Sequence, residues 1–100
     1  MKHLLAAADL SKDEIRYLLD VAKKMSPIIK DDGSIPLLQG KTIVNLFFEN
    51  STRTRSSFEL AIRKLGAGSL NFASSTSSTT KGETLIDTAK NLEAMGPHAI

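Results

Sequence analysis

Two arginines and three hydroxyl side chains lie side by side at residues 51–55, within the stretch FENSTRTRSSFELAIRKLGA. The guanidinium groups of Arg53 and Arg55 present forked N–H donors that match phosphate oxygens two at a time. The hydroxyl groups of Ser51, Thr52 and Thr54 add neutral donors. These residue types at this spacing indicate an anion site, and phosphate is the anion that such donors fit.

The segments on either side predict how these donors are held. The run before them, TIVNLFFE, is rich in β-branched and aromatic residues and predicts a strand over about 42–48. A helical repeat follows, and the first turn of a helix has unpaired N–H groups and the positive end of the dipole. The alternative, ordinary N-caps and solvated arginines, stays open from these residues alone. The helical repeat consists of Phe58, Ala61, Ile62 and Leu65.

Length and composition limit the classes of protein that fit. With 100 residues and 41% apolar content, the chain can form one modest core, so residues 1–100 are expected to belong to one domain. A net charge of +2 argues against a nucleic-acid or membrane surface. There is no cysteine, and His3 and His98 lack a metal-ligand pattern. Without a signal-peptide pattern, we expect a cytoplasmic protein.

Helix signals flank this central region. Ser11 and Glu14 have the spacing of a capping box, and Pro27 is expected to end the helix that follows them. Thr80 and Glu83 repeat that spacing before a further helix. The expected inner face of the first helix is Ile15, Leu18, Leu19, Ala22 and Met25, and that of the last is Leu85, Ala89 and Leu92.

The order of elements predicts the fold class. Gly66 and Gly68 end the central helix, SLNFA offers a second strand, and HAI at 98–100 opens a third. A βαβαβ order with short loops predicts an α/β fold with a parallel sheet flanked by helices and a site at the carboxyl edge of its strands. The Ser/Thr run at 74–80 and Lys81 follow the second strand, so Lys81 could reach the same anion, although the run also fits a plain linker.

The STRTR motif at 51–55 resembles the carbamoyl-phosphate signature of the aspartate and ornithine carbamoyltransferases. The similarity extends from LLAAADLSKDEI through the helix after KGET. It implies that residues 1–100 are the N-terminal part of a carbamoyl-phosphate-binding domain, incomplete and without the aspartate-binding domain. We therefore expect this chain alone to be inactive.

Within that family, SSTSSTTKGET is similar to the aspartate branch. The resemblance implies transfer of a carbamoyl group from carbamoyl phosphate to L-aspartate, in pyrimidine biosynthesis, without a metal or an organic cofactor. It also implies a homotrimer with active sites shared between subunits. An ornithine-type transferase and a non-catalytic phosphate-binding scaffold remain the alternatives.

The resemblance also implies roles for individual residues. Carbamoyl phosphate is expected to bind at Ser51, Thr52, Arg53 and Thr54. The catalytic residues are expected to be Arg53, which neutralises the departing phosphate, Thr54, which reaches the carbonyl oxygen, and Lys81. Lys81 and Ser77 belong to a loop expected to serve aspartate or the neighbouring subunit's pocket. Glu49 and Arg55 are expected to support the site.

Overall fold

The computed structural model of the chain describes residues 2–30, 33–48, 51–73 and 84–100. The chain forms two compact units, Met1–Gly33 and Ser34–Ile100. Each unit has its own secondary structure. The candidate anion-binding residues belong to the second unit.

The first unit contains a short 3-10 helix, Ala7–Asp9, and helix α1, Lys12–Lys30. The predicted capping box starts α1. The Ser11 N–H donates to Glu14 Oε1 at 3.0 Å, and the Glu14 N–H donates to Ser11 Oγ at 3.1 Å. Hydrogen bonding of the Glu14 carboxylate to the Ser11 backbone, and secondarily to the Ser11 hydroxyl, lowers the pKa of Glu14 below its usual value. The predicted capping box is therefore confirmed, with both of its reciprocal hydrogen bonds present.

The predicted end of α1 at Pro27 is wrong, because the helix continues through it to Lys30. A proline so close to the end removes one N–H donor, and the remaining turn continues without it. The Gly33 N–H then donates to Ile28 O at 3.1 Å. The predicted inner face is not a buried face either, since no described residue of α1 is buried. Its partly buried residues include Val21, Met25 and Ile29.

The second unit is built on two parallel strands, β1 (Thr42–Phe47) and β2 (Gly68–Ala73), joined by helix α2 (Thr52–Lys64). They pair in register from Thr42 opposite Gly68 to Phe47 opposite Ala73. Helix α3, Leu85–Ala94, then leads to the last residues of the chain. The parallel pair joined by a helix confirms the predicted fold class.

A third extended segment lies beside β1 on the side away from β2. Ala99 forms a parallel bridge with Ile43, and the Val44 N–H donates to Ala99 O at 2.9 Å. Thr42 exchanges two bonds with His98: the His98 N–H donates to Thr42 O at 2.8 Å, and the Thr42 N–H donates to His98 Nδ1 at 3.0 Å. The predicted opening of a third strand is thus confirmed, and β1 is the central one.

The C-terminus of α2 follows the predicted stop signal. Gly66 has a φ of +81°, and a Cβ there would lie 3.2 Å from Pro36 Cα. Its N–H donates to Arg63 O at 3.0 Å. Glycine is the residue that reaches this conformation without strain. Among the described residues of the unit, the buried apolar ones are Val44, Ile62, Ala67 and Leu92.

Helix α3 begins with a capping box that the sequence analysis did not identify. The Asp87 N–H donates to Thr84 Oγ1 at 3.1 Å, and the Thr84 N–H donates to Asp87 Oδ2 at 3.4 Å. The predicted box at 80–83 lies outside the described residues. Leu92 is 1% exposed as predicted, whereas Leu85 is 56% exposed. Thr88, one turn before Leu92, is buried in place of Leu85.

Candidate anion site at the carboxyl end of the central strand

The candidate site lies where β1 ends and α2 begins. β2 flanks β1 on one side and Ala99 on the other, so the chain moves from β1 to one side of the sheet and, after β2, crosses back to the other side. In parallel α/β sheets such a switch point opens a crevice at the carboxyl ends of the strands, and ligands bind there. Residues 51–55 follow the carboxyl end of β1 directly, as predicted.

The N-terminus of α2 is left open by its own N-cap. Ser51 is that N-cap, with φ −103° and ψ 81°, and its hydroxyl makes no capping hydrogen bond. The first helical bond runs from the Arg55 N–H to Ser51 O at 3.0 Å. The N–H groups of Thr52, Arg53 and Thr54 precede that bond and so have no helical acceptor. Among the described residues, these three backbone donors and the Ser51 hydroxyl have no acceptor, so they can bind a ligand.

The charges around this helix start favour an anion. The first turn of α2 contains no acidic residue, whereas α1 has two there, Asp13 and Glu14, and α3 has Asp87. Across the described ranges, no carboxylate forms an ion pair with Arg53 or Arg55. The positive end of the helix dipole and the side chains of Arg53 and Arg55 therefore lie at the same end of α2.

Exposure separates the two arginines and the hydroxyls into two groups. Thr52, Arg53 and Thr54 are exposed, so a ligand from solvent can reach them. Ser51 and Arg55 are half-buried. The first group is suited to direct contact with an anion. The half-buried Arg55 is better placed to support the strand-to-helix junction than to contact the anion directly.

Two contacts stiffen the junction. The rings of Phe47, the last residue of β1, and Phe58 in α2 have centroids 6.3 Å apart and are inclined by 54°. This lies within the range of favourable tilted aromatic pairs. The Ser57 hydroxyl donates to Thr54 O at 2.8 Å inside the helix. The ring contact therefore joins the strand end to α2, and the hydroxyl bond reinforces the first turns of the helix.

The remaining predicted site residues, Glu49, Ser77 and Lys81, lie outside the described residues. In sequence, residues 74–83 follow directly after β2, whose last residue Ala73 pairs with Phe47. The two strands therefore end at the same edge of the sheet. The described part of the site consists of Ser51, Thr52, Arg53, Thr54 and Arg55.

Two further residues near the site were missed by the sequence analysis. Asn45 is 6% exposed in the middle of β1, and its Nδ2 donates to Asn71 Oδ1 in β2 at 3.0 Å. Each asparagine interrupts an apolar strand, TIVNLF in one case and GSLNFA in the other. That interruption was the available signal, because buried central strands disfavour asparagine.

The predicted apolar face of α2 lines a groove of about 490 Å³ along β1, with Phe58, Ala61, Ile62 and Leu65 on the helix side. Its apolar walls differ in chemistry from the anion site. Among the described residues, no three His, Asp or Glu side chains converge to hold a metal ion. No helix in the described ranges is long and apolar enough to cross a membrane.

Known proteins are similar to this chain in sequence. The aspartate carbamoyltransferase catalytic subunit of Campylobacter fetus subsp. fetus is 57% identical over 99 residues, which are 94% of this chain and 31% of that protein. The corresponding subunit of Anaeromyxobacter dehalogenans (strain 2CP-1) is 54% identical over 100 residues, 99% of this chain and 32% of that protein. The chain thus spans about a third of the length of these relatives.

Solved structures give the same result. The catalytic subunit of M. jannaschii aspartate transcarbamoylase superposes with a TM-score of 0.80 at 40% identity, covering 95% of this chain and 31% of that one. The Trypanosoma cruzi enzyme in complex with carbamoyl phosphate and aspartate superposes with a TM-score of 0.78 at 40% identity, covering 93% and 29%. The family described as aspartate/ornithine carbamoyltransferase, carbamoyl-P binding domain, matches residues 2–100. With its fold, its motif and its relatives in agreement, the chain belongs to the aspartate/ornithine carbamoyltransferase family.

Proposed function

We propose that the full-length protein carrying this chain is an aspartate carbamoyltransferase. The observation that carries the proposal is the open N-terminus of α2, which presents the STRTR motif at the switch point of the sheet. In the reaction, the α-amino nitrogen of L-aspartate attacks the carbonyl carbon of carbamoyl phosphate. A C–N bond forms, the C–O bond to phosphate breaks, and the amine loses a proton. The products are N-carbamoyl-L-aspartate and inorganic phosphate.

The free donors of α2 are suited to the charges in this reaction. The backbone N–H groups of Thr52, Arg53 and Thr54, with the Ser51 hydroxyl, bind the phosphate group. The exposed Arg53 guanidinium neutralises the phosphate as it departs, and the Thr54 hydroxyl donates to the carbonyl oxygen. Donors fixed in place before the reaction stabilise the developing charges more than they stabilise the bound substrate.

The other site residues complete this proposal. The half-buried Arg55 supports the junction, together with Glu49, by an ion pair. Lys81 and Ser77 reach the pocket of a neighbouring subunit in a homotrimer. The protein acts in the cytoplasm, in pyrimidine biosynthesis, and the reaction as written requires neither a metal nor an organic cofactor. The 100-residue chain alone has no transferase activity, because aspartate is held by a second domain.

A carbamoyl-transfer assay with radiolabelled carbamoyl phosphate tests the proposal on the full-length protein. We expect labelled carbamoyl-aspartate with L-aspartate and little product with L-ornithine. Product with ornithine alone would identify an ornithine-type transferase. Binding of phosphate without turnover of either amine would identify a non-catalytic scaffold. Turnover by the 100-residue chain alone would contradict the expected need for the second domain.

Reassembly of two inactive variants tests the shared pocket. Full-length Arg53→Ala and Lys81→Gln homotrimers each lack one group in every pocket, so both should be nearly inactive. After joint dissociation and reassembly, some pockets should combine an intact Arg53 with an intact Lys81 from the next subunit, and activity should return. If native mass spectrometry shows that mixed trimers form and activity stays at the parental level, Lys81 does not act across the interface.

A further inference from the structure

The Asn45–Asn71 pair joins the two strands whose carboxyl ends lead to the polar segments of the site. Asn45 is buried, and its amide donates to the Asn71 side chain at 3.0 Å. The two residues are direct partners in the parallel register, two positions before the last pair, Phe47 opposite Ala73. The bond therefore ties the strands together close to the edge at which the anion site lies.

Other features of the sheet do not select this register as sharply. Side chains alternate between the faces of a strand, so a shift of two residues keeps every apolar side chain on its own face. Val44, for example, pairs with Leu70 and would pair with Phe72 or Gly68 after such a shift. Backbone ladder bonds keep the same pattern after such a shift, with two end pairs lost. Asn45 alone changes from an amide partner to a serine or an alanine.

We propose that Asn45 and Asn71 are a positioning pair. Their hydrogen bond fixes the register of β1 against β2 and so holds residues 51–55 where the anion binds. This proposal rests on the proposed function, because it concerns the alignment of the same site. A two-residue shift moves a strand by about 7 Å. Displacements of even about 1 Å can cost a hundredfold in rate. A buried asparagine can specify register in helical coiled coils, and here the buried Asn45 meets its exposed partner Asn71 within a sheet.

Threonine and valine at position 45 separate hydrogen bonding from shape, because the two side chains are nearly isosteric. In the full-length protein, Asn45→Thr keeps a hydroxyl that can donate to Asn71 Oδ1. We expect its kcat to stay within about threefold of the unmodified protein. Asn45→Val removes the donor, and we expect its kcat to fall at least tenfold, with a smaller change in KM for carbamoyl phosphate.

The double variant Asn45→Val/Asn71→Val distinguishes positioning from stability. Replacing both partners with apolar groups leaves no unpaired amide, so thermal stability should recover relative to Asn71→Val, which leaves the buried Asn45 amide without its partner. A positioning role predicts that kcat remains low, whereas a purely structural role predicts that kcat recovers with stability. Val44→Ala serves as the control, because it destabilises the same strand at a 2% exposed position without altering the amide pair. Its kcat, measured well below its melting temperature, should be unchanged.

Inorganic phosphate provides a readout that needs no turnover. By isothermal titration calorimetry, the unmodified protein and Asn45→Thr should bind phosphate equally, and the double valine variant at least fivefold more weakly. Recovery of kcat in the double variant overturns the positioning role. If the unmodified protein shows no carbamoyl transfer, the proposed function fails, and the phosphate series then decides the positioning role: the predicted order supports it, and equal or absent binding overturns it.

Discussion

Replacing Phe58 should measure how strongly the aromatic pair holds the strand end to the start of α2. Phe58 is 56% exposed, so somewhat less than half of its side chain is removed from water. Full burial of a phenylalanine contributes about 1.5–3 kcal/mol, so this partial burial contributes about 1 kcal/mol. The tilted pair with Phe47, at 6.3 Å, adds about 0.5–1.5 kcal/mol. Phe58→Ala should therefore lower the free energy of unfolding by about 1–3 kcal/mol.

Urea unfolding followed by circular dichroism measures this loss, and a double-mutant cycle isolates the ring contact. Phe47→Leu, Phe58→Leu and the double variant keep apolar side chains at both positions, so their coupling energy should be about 0.5–1.5 kcal/mol. Leu60→Ala on the same helix is the control, because Leu60 is 55% exposed and takes no part in the ring pair. A coupling energy indistinguishable from zero would refute the argument that the rings brace the junction.

Three further predictions concern the site, the core and the first helix. In the full-length protein, Arg53→Ala should lower kcat about 100- to 1,000-fold, and Arg53→Lys should restore little of it. Arg63→Ala, at the other end of α2, is the control and should have little effect. Equal losses in kcat and in phosphate binding would show that Arg53 contributes to binding only. Leu92→Ala should lower the free energy of unfolding in urea by about 2–5 kcal/mol, far more than Leu85→Ala on the same helix, because Leu92 is 1% exposed and Leu85 56%. Similar losses for the two variants would contradict the assignment of Leu92 to the core. Because the pKa of Glu14 is lowered in the folded state, its contribution to stability is present above pH 4.5 and is lost as the pH falls below that value. Acid titration of helical circular dichroism should show less loss for Glu14→Gln than for the unmodified chain, and identical curves would contradict the linkage.

Local sequence patterns were sufficient to predict the two strands, the central helix and the strand-to-helix junction at residues 51–55. The 3.6-residue and two-residue repeats depend on neighbouring residues only, and a polar motif between them marks a strand-to-helix junction. The open helix start was also visible in the sequence. Ser11 and Thr84 are each followed three residues later by an acid, whereas Ser51 is followed by Thr54, which cannot return a carboxylate to the N-cap.

The errors arose where the outcome depends on distant contacts or on position within an element. Pro27 was expected to end α1, but a proline in the last turn costs the helix little more than one donor. Asn45 was overlooked because its partner lies 26 residues away in another strand. Leu85 matched the helical repeat, but the buried side of α3 is set by Thr88 and Leu92, which no local repeat distinguishes.

The bonds between Thr42 and His98 have a consequence for the order of events during synthesis. The acceptor for the Thr42 N–H lies 56 residues further along the chain. At about 5–20 residues per second, the ribosome needs roughly 3–11 seconds to make that stretch. Throughout that interval one side of the central strand is an unpaired edge, a template on which another nascent chain can add a strand. The contact that makes β1 the central strand therefore forms late. For several seconds the nascent chain avoids strand pairing with other chains only if such encounters are slow or if a chaperone covers the exposed edge.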